Sequence, residues 1–223
     1  MTVQFTNRTE AGCLLASQLK EYANRPDVIV LGLPRGGVPV AYEISRSLCV
    51  PLDVCLVRKL GVPAHKELAM GAIGQGNAIT VNQDIIESWQ VSQSAFEEVL
   101  AAEKQELQRR YHLYVGKRLP VSLKGKIVIL VDDGVATGST VFAALEVMRS
   151  HQFKAIVVAV PIVQASTCEQ LEEQVSKVVC LAKPQLLRAI SFWYEDFSQT
   201  SDEEVQELLS KSRRELSAVS HLN

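Results

Sequence analysis

Residues 128–140 read Val-Ile-Leu-Val-Asp-Asp-Gly-Val-Ala-Thr-Gly-Ser-Thr: four apolar residues, two adjacent carboxylates, then a run of small and hydroxyl-bearing residues. Neighbouring acids repel, so Asp132 and Asp133 stay ionised only when solvated, hydrogen-bonded to hydroxyls or turned toward a cation. Vicinal sugar hydroxyls and a magnesium ion meet those needs together, with the acids touching the metal directly or through water. Beyond them, Ala136, Thr137, Gly138, Ser139 and Thr140 let backbone N–H groups converge where a helix begins and add hydroxyl donors, the chemistry of a phosphate cradle. The chain has no G-x-x-x-x-G-K-[ST] motif, and no G-x-G-x-x-G follows a strand, so nucleoside triphosphate and dinucleotide readings lose ground. A strand end with an Asp-Gly turn and a Thr/Ser cap would explain the pieces of this segment but not their order.

Two further loops carry cations. Gly32-Leu33-Pro34-Arg35-Gly36-Gly37 sets an arginine among glycines, so that Arg35 and the amides of Gly36 and Gly37 could clamp an anion together. Arg58 and Lys59 open a glycine-rich, charged stretch that reaches Asn77 and has the composition of a mobile loop. His65-Lys66-Glu67 within it could fold over a site as a lid, or could simply be a solvated charged turn.

The 13 consecutive positions 128–140 resemble the signature of the class I phosphoribosyltransferases, in which a strand, an acidic pair and a Thr-Gly-Ser/Thr loop grip the ribose 5-phosphate of an activated sugar. Arg35-Gly36-Gly37 resembles that family's pyrophosphate loop. Arg58-Lys59-Leu60-Gly61 looks like the start of the mobile loop of adenine phosphoribosyltransferases, although the Gly-Lys-Leu-Pro that follows there is absent here. The set RGGVPVA, RKLG and VDDGVATGST is also similar to a bacterial subgroup described only as predicted phosphoribosyltransferases, a label that carries no acceptor. The resemblance implies that the chain binds 5-phosphoribosyl-1-pyrophosphate with Mg2+ and transfers the phosphoribosyl group to a small-molecule acceptor, expected to be a nucleobase, in nucleotide salvage. On that reading Asp132 and Asp133 hold the ribose hydroxyls, and Arg35, Arg58 and Lys59 meet the leaving pyrophosphate. Residues 136–140 hold the 5-phosphate, and Trp193 or Tyr194 could stack on a flat acceptor ring. A sensor that binds the activated sugar without turnover, and a nucleotide phosphorylase or hydrolase using the same loops, remain as alternatives.

The elements needed to position these loops are legible. Val28–Leu31, Leu52–Val57, Ile127–Val131, Ala155–Val160 and Lys177–Leu181 are short β-branched or apolar runs of the kind buried on both faces of a parallel sheet. Helical spacing appears between them, at residues 40, 41, 44 and 48, at 141–148 and at 166–174. The expected fold is therefore α/β: a doubly wound, mainly parallel sheet of about five strands with helices on both faces. One domain over residues 1–223 is expected, with a core at about 28–181, an N-terminal helix at 10–23 and a small C-terminal hood and helix at 184–223. Ser201-Asp202-Glu203-Glu204 looks like the cap of that last helix. Residues 84–113 read as one long helix that could cover the sheet or pack on a second copy to give a homodimer.

Composition removes other classes. With 223 residues and 47% hydrophobic residues the chain can bury one sizeable core. A formal net charge of -2 offers no global field for nucleic acid, and no apolar run approaches the roughly 20 residues of a membrane span. Five cysteines without a C-x-x-C pair read as buried thiols of a reducing cytoplasm rather than a disulfide framework or a zinc site.

Overall fold

The computed structural model describes residues 4–116, 118, 121–149 and 151–220. The outermost positions of the expected 1–223 domain, 1–3 and 221–223, lie outside the described residues. Close contacts divide the chain into two compact units, one holding the described residues of 1–54, 121–137 and 152–223, the other 55–120 and 138–151.

The first unit is built on five parallel strands, β1 (Val28–Gly32), β2 (Leu52–Val54), β6 (Ile127–Val131), β7 (Ala155–Ile162) and β8 (Lys177–Ala182), in the order β2-β1-β6-β7-β8. Every residue of β1, β2 and β6 is buried, as the apolar sequences of β1 and β6 require, and the buried Asp53 of β2 accepts the Val54 N–H at 3.0 Å. The order runs outward from β1 in one direction and from β6 in the other, so the sheet reverses its winding between these two strands. In an open α/β sheet that reversal opens a crevice beyond the strand ends, where ligands bind. Strand register sharpens the point: Gly32 pairs with Val131, so the loops that leave β1 and β6 start side by side.

Helices α1 (Arg8–Gln18), α2 (Gly37–Leu48) and α7 (Asp202–Ser220) form a layer, with α1 against β7 and β8, α2 against β1, and α7 against α2 and β2. Helix α6 (Ala165–Glu172) packs on β8. The Asn7 side chain accepts a bond from the Glu10 N–H and so caps α1, and Ser201 caps α7 by accepting from Glu204 N–H at 3.1 Å, as its sequence predicts. A 3-10 turn at Lys20–Tyr22 continues from α1.

In the second unit the sequence expectation of a loop over 58–77 is corrected. Residues Val57–Val62 (β3) and His65–Gly74 (β4) pair antiparallel, and Ile79–Val81 (β5) adds to β4, giving a three-stranded sheet. Leu60, Val62, Met70, Ala72 and Ile73 are buried while the charged residues between them are not, which stabilises strand structure despite the glycines. A register shift at Gly61 bends the pair. The single long helix is also corrected: α3 (Gln83–Ser88) stops at Trp89, Gln90 takes a left-handed φ of 49°, and Ser92 caps α4 (Gln93–Tyr114) by accepting from Ala95 N–H. Helix α5 (Ser139–Met148) completes this unit and packs on β3 and β4.

The cysteines are not all buried. Cys55 and Cys168 are, but Cys13 and Cys49 are exposed and Cys180 is half-buried. Burial pushes the Cys55 thiol up to about 12 and the Cys168 thiol up to about 11.

The central strand gives a direct test of this core. Ile129 is fully buried in β6, so Ile129→Ala should lower the unfolding free energy by about 2–5 kcal/mol, read as a shift of the urea midpoint with unchanged slope.

Candidate active site

Asp132 and Asp133 stand just past the last paired residue of β6. Both are half-buried, and Asp132 turns one carboxylate oxygen back to accept the Asp133 N–H at 2.9 Å. Burial pushes the Asp132 carboxyl well above the ordinary carboxylate range, and the neighbouring Asp133 charge pushes it the same way. Burial raises Asp133 too, but the guanidinium of Arg8 beside it pulls the other way.

Arg8 is the residue that sequence reasoning missed. Its Nε and Nη2 both approach Asp133 Oδ2 at 2.8 Å, and its Nη1 donates to the Ser198 carbonyl at 2.7 Å. The guanidinium carbon lies 4.0 Å from the centre of the Phe197 ring. A contact between positions 125 residues apart leaves no periodic trace in the sequence. Tyr194 is the second surprise. Its ring packs among Phe5, Phe197 and Ala11, and its hydroxyl donates to the Asp133 carbonyl at 2.7 Å. Only 4% exposed, it buttresses the acid pair, which corrects the expectation of a stacking surface for an acceptor. Trp193 is half-buried against the same cluster, and the adjacent Phe192 is 71% exposed.

The loop after β1 closes on the acids. A Cβ on Gly36 would overlap the Asp133 carboxylate, and one on Gly37 would meet the Val131 carbonyl at 2.6 Å and Asp132 Cα at 2.9 Å. Neither position has room for a side chain, so both call for glycine. Arg35 projects from this loop, half-exposed, with Nη1 at 4.0 Å from a carboxylate oxygen of Asp202, a separation at the limit of an ion pair.

Downstream of the acids the chain is pinned from β7 and α6. Val135 N–H donates to the Ile162 carbonyl at 2.8 Å, Gln164 N–H donates to the Val135 carbonyl at 3.0 Å, and the buried Thr167 hydroxyl donates to the Ala136 carbonyl at 2.6 Å. Thr137 follows, exposed, and Gly138, with a left-handed φ of 75°, starts α5 with Ser139 and Thr140 in its first turn. Thus Arg35, Gly36, Gly37, Asp132, Asp133, Ala136 and Thr137 belong to the first unit with Trp193 and Tyr194, whereas Gly138, Ser139, Thr140, Arg58 and Lys59 belong to the second. There Arg58 Nε bonds Glu103 at 2.6 Å, and Lys59 Nζ reaches the Glu67 carbonyl at 3.1 Å and its carboxylate at 3.4 Å.

A family model for the phosphoribosyl transferase domain matches residues 8–192, a span that runs from the clamping arginine to the hood. The chain belongs to the phosphoribosyl transferase family. A Mycobacterium tuberculosis protein, provisionally named a phosphoribosyl transferase, is 43% identical over 211 residues, covering 95% of this chain and 47% of that one. The chain thus spans about half the length of the curated relatives it matches. The crystal structure of TT1426 from Thermus thermophilus superposes with a TM-score of 0.83 at 39% identity, covering 93% of this chain and 98% of that one. The AQ2163 protein of Aquifex aeolicus shares the fold alone, with a TM-score of 0.50 at 15% identity over 91% of this chain and 83% of its own.

Thr167, itself buried, holds the loop after the acids by one hydrogen bond, to the Ala136 carbonyl. Thr167→Val should lower stability by about 1 kcal/mol and Thr167→Ser should restore it, measured by chemical denaturation.

Proposed function

We propose that the chain binds 5-phosphoribosyl-1-pyrophosphate and transfers its phosphoribosyl group to a small-molecule acceptor, a nucleobase being the class that suits a hood carrying aromatic residues. The observation that carries this reading is the close approach of the glycine loop after β1 to the acid pair after β6, where the sheet reverses its winding. An anion clamp and a hydroxyl-binding acid pair side by side fit a molecule with a pyrophosphate and two vicinal hydroxyls on one ring. Family membership supports the same reaction class.

In the proposed reaction the bond from the anomeric carbon to the pyrophosphate oxygen breaks and a bond to the acceptor forms, through an oxocarbenium-like state. Asp132 and Asp133 accept hydrogen bonds from the ribose hydroxyls and favour the positive charge that develops on the ring. Arg35, with the amides of Gly36 and Gly37, takes up negative charge on the departing pyrophosphate. Ala136, Thr137, Gly138, Ser139 and Thr140 fix the 5-phosphate, so that the sugar is oriented before the bond breaks. Arg58 and Lys59 are assigned to the pyrophosphate on their charge; each would exchange its present carboxylate, Glu103 or Glu67, for the ligand.

The acid pair also fits magnesium. Two carboxylates that burial drives toward neutrality are hard oxygen donors in need of positive charge. Among the described residues no three His, Cys, Asp or Glu side chains converge, so the remaining oxygens would come from water and the ligand. Bound there, magnesium would supply charge neutralisation for the pyrophosphate.

Calorimetric titration with phosphoribosyl pyrophosphate, with and without magnesium, tests the proposal, followed by pyrophosphate release with pooled nucleobases. Saturable magnesium-dependent binding with base-dependent release is expected; binding without release would indicate a sensor, and no binding would end this reading. Replacing both acids, Asp132→Asn with Asp133→Asn, should weaken binding by about 100-fold or more, about 2.7 kcal/mol, with the circular dichroism spectrum retained.

Arg35 separates the two ends of the ligand. Arg35→Ala should weaken pyrophosphate more than ribose 5-phosphate in the same calorimeter, and equal losses would count against the division of loops.

A further inference from the structure

We infer that Arg8 is a positioning residue that acts through Asp133, fixing this carboxylate for the sugar and coupling the sugar side of the site to the hood; the inference rests on the proposed role of the acid pair. Both Arg8 nitrogens that reach Asp133 take the same oxygen, Oδ2, so the ion pair fixes the rotation of the carboxylate while Oδ1 stays outside it. The two side chains are only 11% and 13% exposed, so the pair is shielded far more than a surface salt bridge.

Three features hold the guanidinium in turn. Nη1 donates to the Ser198 carbonyl, the planar group lies over Phe197, and the aliphatic stem leaves the first turn of α1. Phe197 and Ser198 are hood residues, and so is Tyr194, whose hydroxyl donates to the Asp133 backbone carbonyl. Asp133 is therefore held by one hood residue, Tyr194, at its backbone carbonyl and by a hood-anchored arginine at its side chain. The N-terminal segment locks into the same assembly: Phe5 N–H donates to the Trp193 carbonyl at 2.8 Å, Glu195 N–H to the Phe5 carbonyl at 2.8 Å, and Asp196 N–H to the Thr6 carbonyl at 2.9 Å.

A cation placed only to cancel charge could be any cation. A planar fork that donates along two edges while its face covers a ring is arginine chemistry, and lysine reproduces only the point charge. Because one carboxylate serves both the clamp and the proposed sugar contact, binding at Asp133 must be felt at Phe197 and Trp193.

The chain's two tryptophans are Trp89 and Trp193, so a Trp89→Phe background leaves Trp193 as the reporter of the hood. In that full-length background, phosphoribosyl pyrophosphate with magnesium should change Trp193 emission on saturation. Arg8→Ala should weaken binding by about tenfold and abolish the emission change even at saturation, and Arg8→Lys should recover affinity only in part. Asp133→Asn and the Arg8→Ala/Asp133→Asn double variant should bind with affinities equal within about twofold, because the arginine acts through the acid. Additive losses in the double variant, or an emission change that survives Arg8→Ala, would overturn the inference. If Arg8→Ala does not fold by circular dichroism, Arg8→Lys carries the same cycle under the same criteria. If the background protein binds no phosphoribosyl pyrophosphate, the proposed function fails, and iodide quenching of Trp193 then decides the clamp itself. An equal rise in quenching in Arg8→Ala, Asp133→Asn and the double variant upholds it, and no rise in Arg8→Ala overturns it.

Discussion

Two carboxylates at the end of a strand that is buried throughout set the terms for the rest of the first unit. β6 is apolar on both faces because parallel strands lie between layers, so its polar chemistry has to begin abruptly where pairing ends, at Asp132. Removed from bulk water, adjacent acids cannot both hold a charge unless something opposite is brought to them. The protein brings Arg8, and several otherwise unrelated features follow from that one requirement. The N-terminal segment pairs with residues 193–196 to deliver the arginine, Phe197 lies under its face, and position 36 must be glycine because a Cβ would overlap the carboxylate being clamped.

The sheet, and the loops that leave β1 and β6, were legible in the sequence because their determinants are local. A β-branched run between breakers announces a buried strand wherever it pairs, and the order acid-acid-small-hydroxyl carries its chemistry in consecutive positions. The resemblance of residues 128–140 to the class I phosphoribosyltransferases was readable for the same reason, and family membership is confirmed over residues 8–192. What failed was also physical. Glycines and charges in 58–77 looked like loop composition, yet the alternating burial of Leu60, Val62, Met70 and Ala72 was enough for an antiparallel sheet. Apolar spacing alone ran α3 and α4 together, and the Ser92 side chain, which can cap a helix only by ending the one before it, was passed over.

Arg8 and Tyr194 were illegible for a different reason. Tyr194 was noticed as an aromatic, but a sequence gives no direction to a ring, and this one turns inward to place its hydroxyl on the Asp133 carbonyl. Arg8 offered only a cation at the start of a helix. Neither residue advertises chemistry, because the function of each is to hold another residue.

This divides the site into two kinds of part. Apart from Arg58 and Lys59, which lie in β3, the residues proposed to touch the activated sugar are carried on loops whose shape the five-stranded sheet dictates, through the Gly32–Val131 register and the bonds that pin Val135 and Ala136 from β7 and α6. Their support on the hood side is assembled from segments far apart in sequence, where residues 5–8 meet residues 193–198. A sheet-dictated loop has little freedom to respond when a ligand arrives, since displacing it would break a row of buried backbone bonds. The clamp has more: its bonds come from one guanidinium and one phenol, and the carboxylate that the guanidinium holds is the one that a sugar hydroxyl or a cation would also seek. Competition for charge at Asp133 is thus the point at which an event on the sugar can be converted into a change of packing around Phe197.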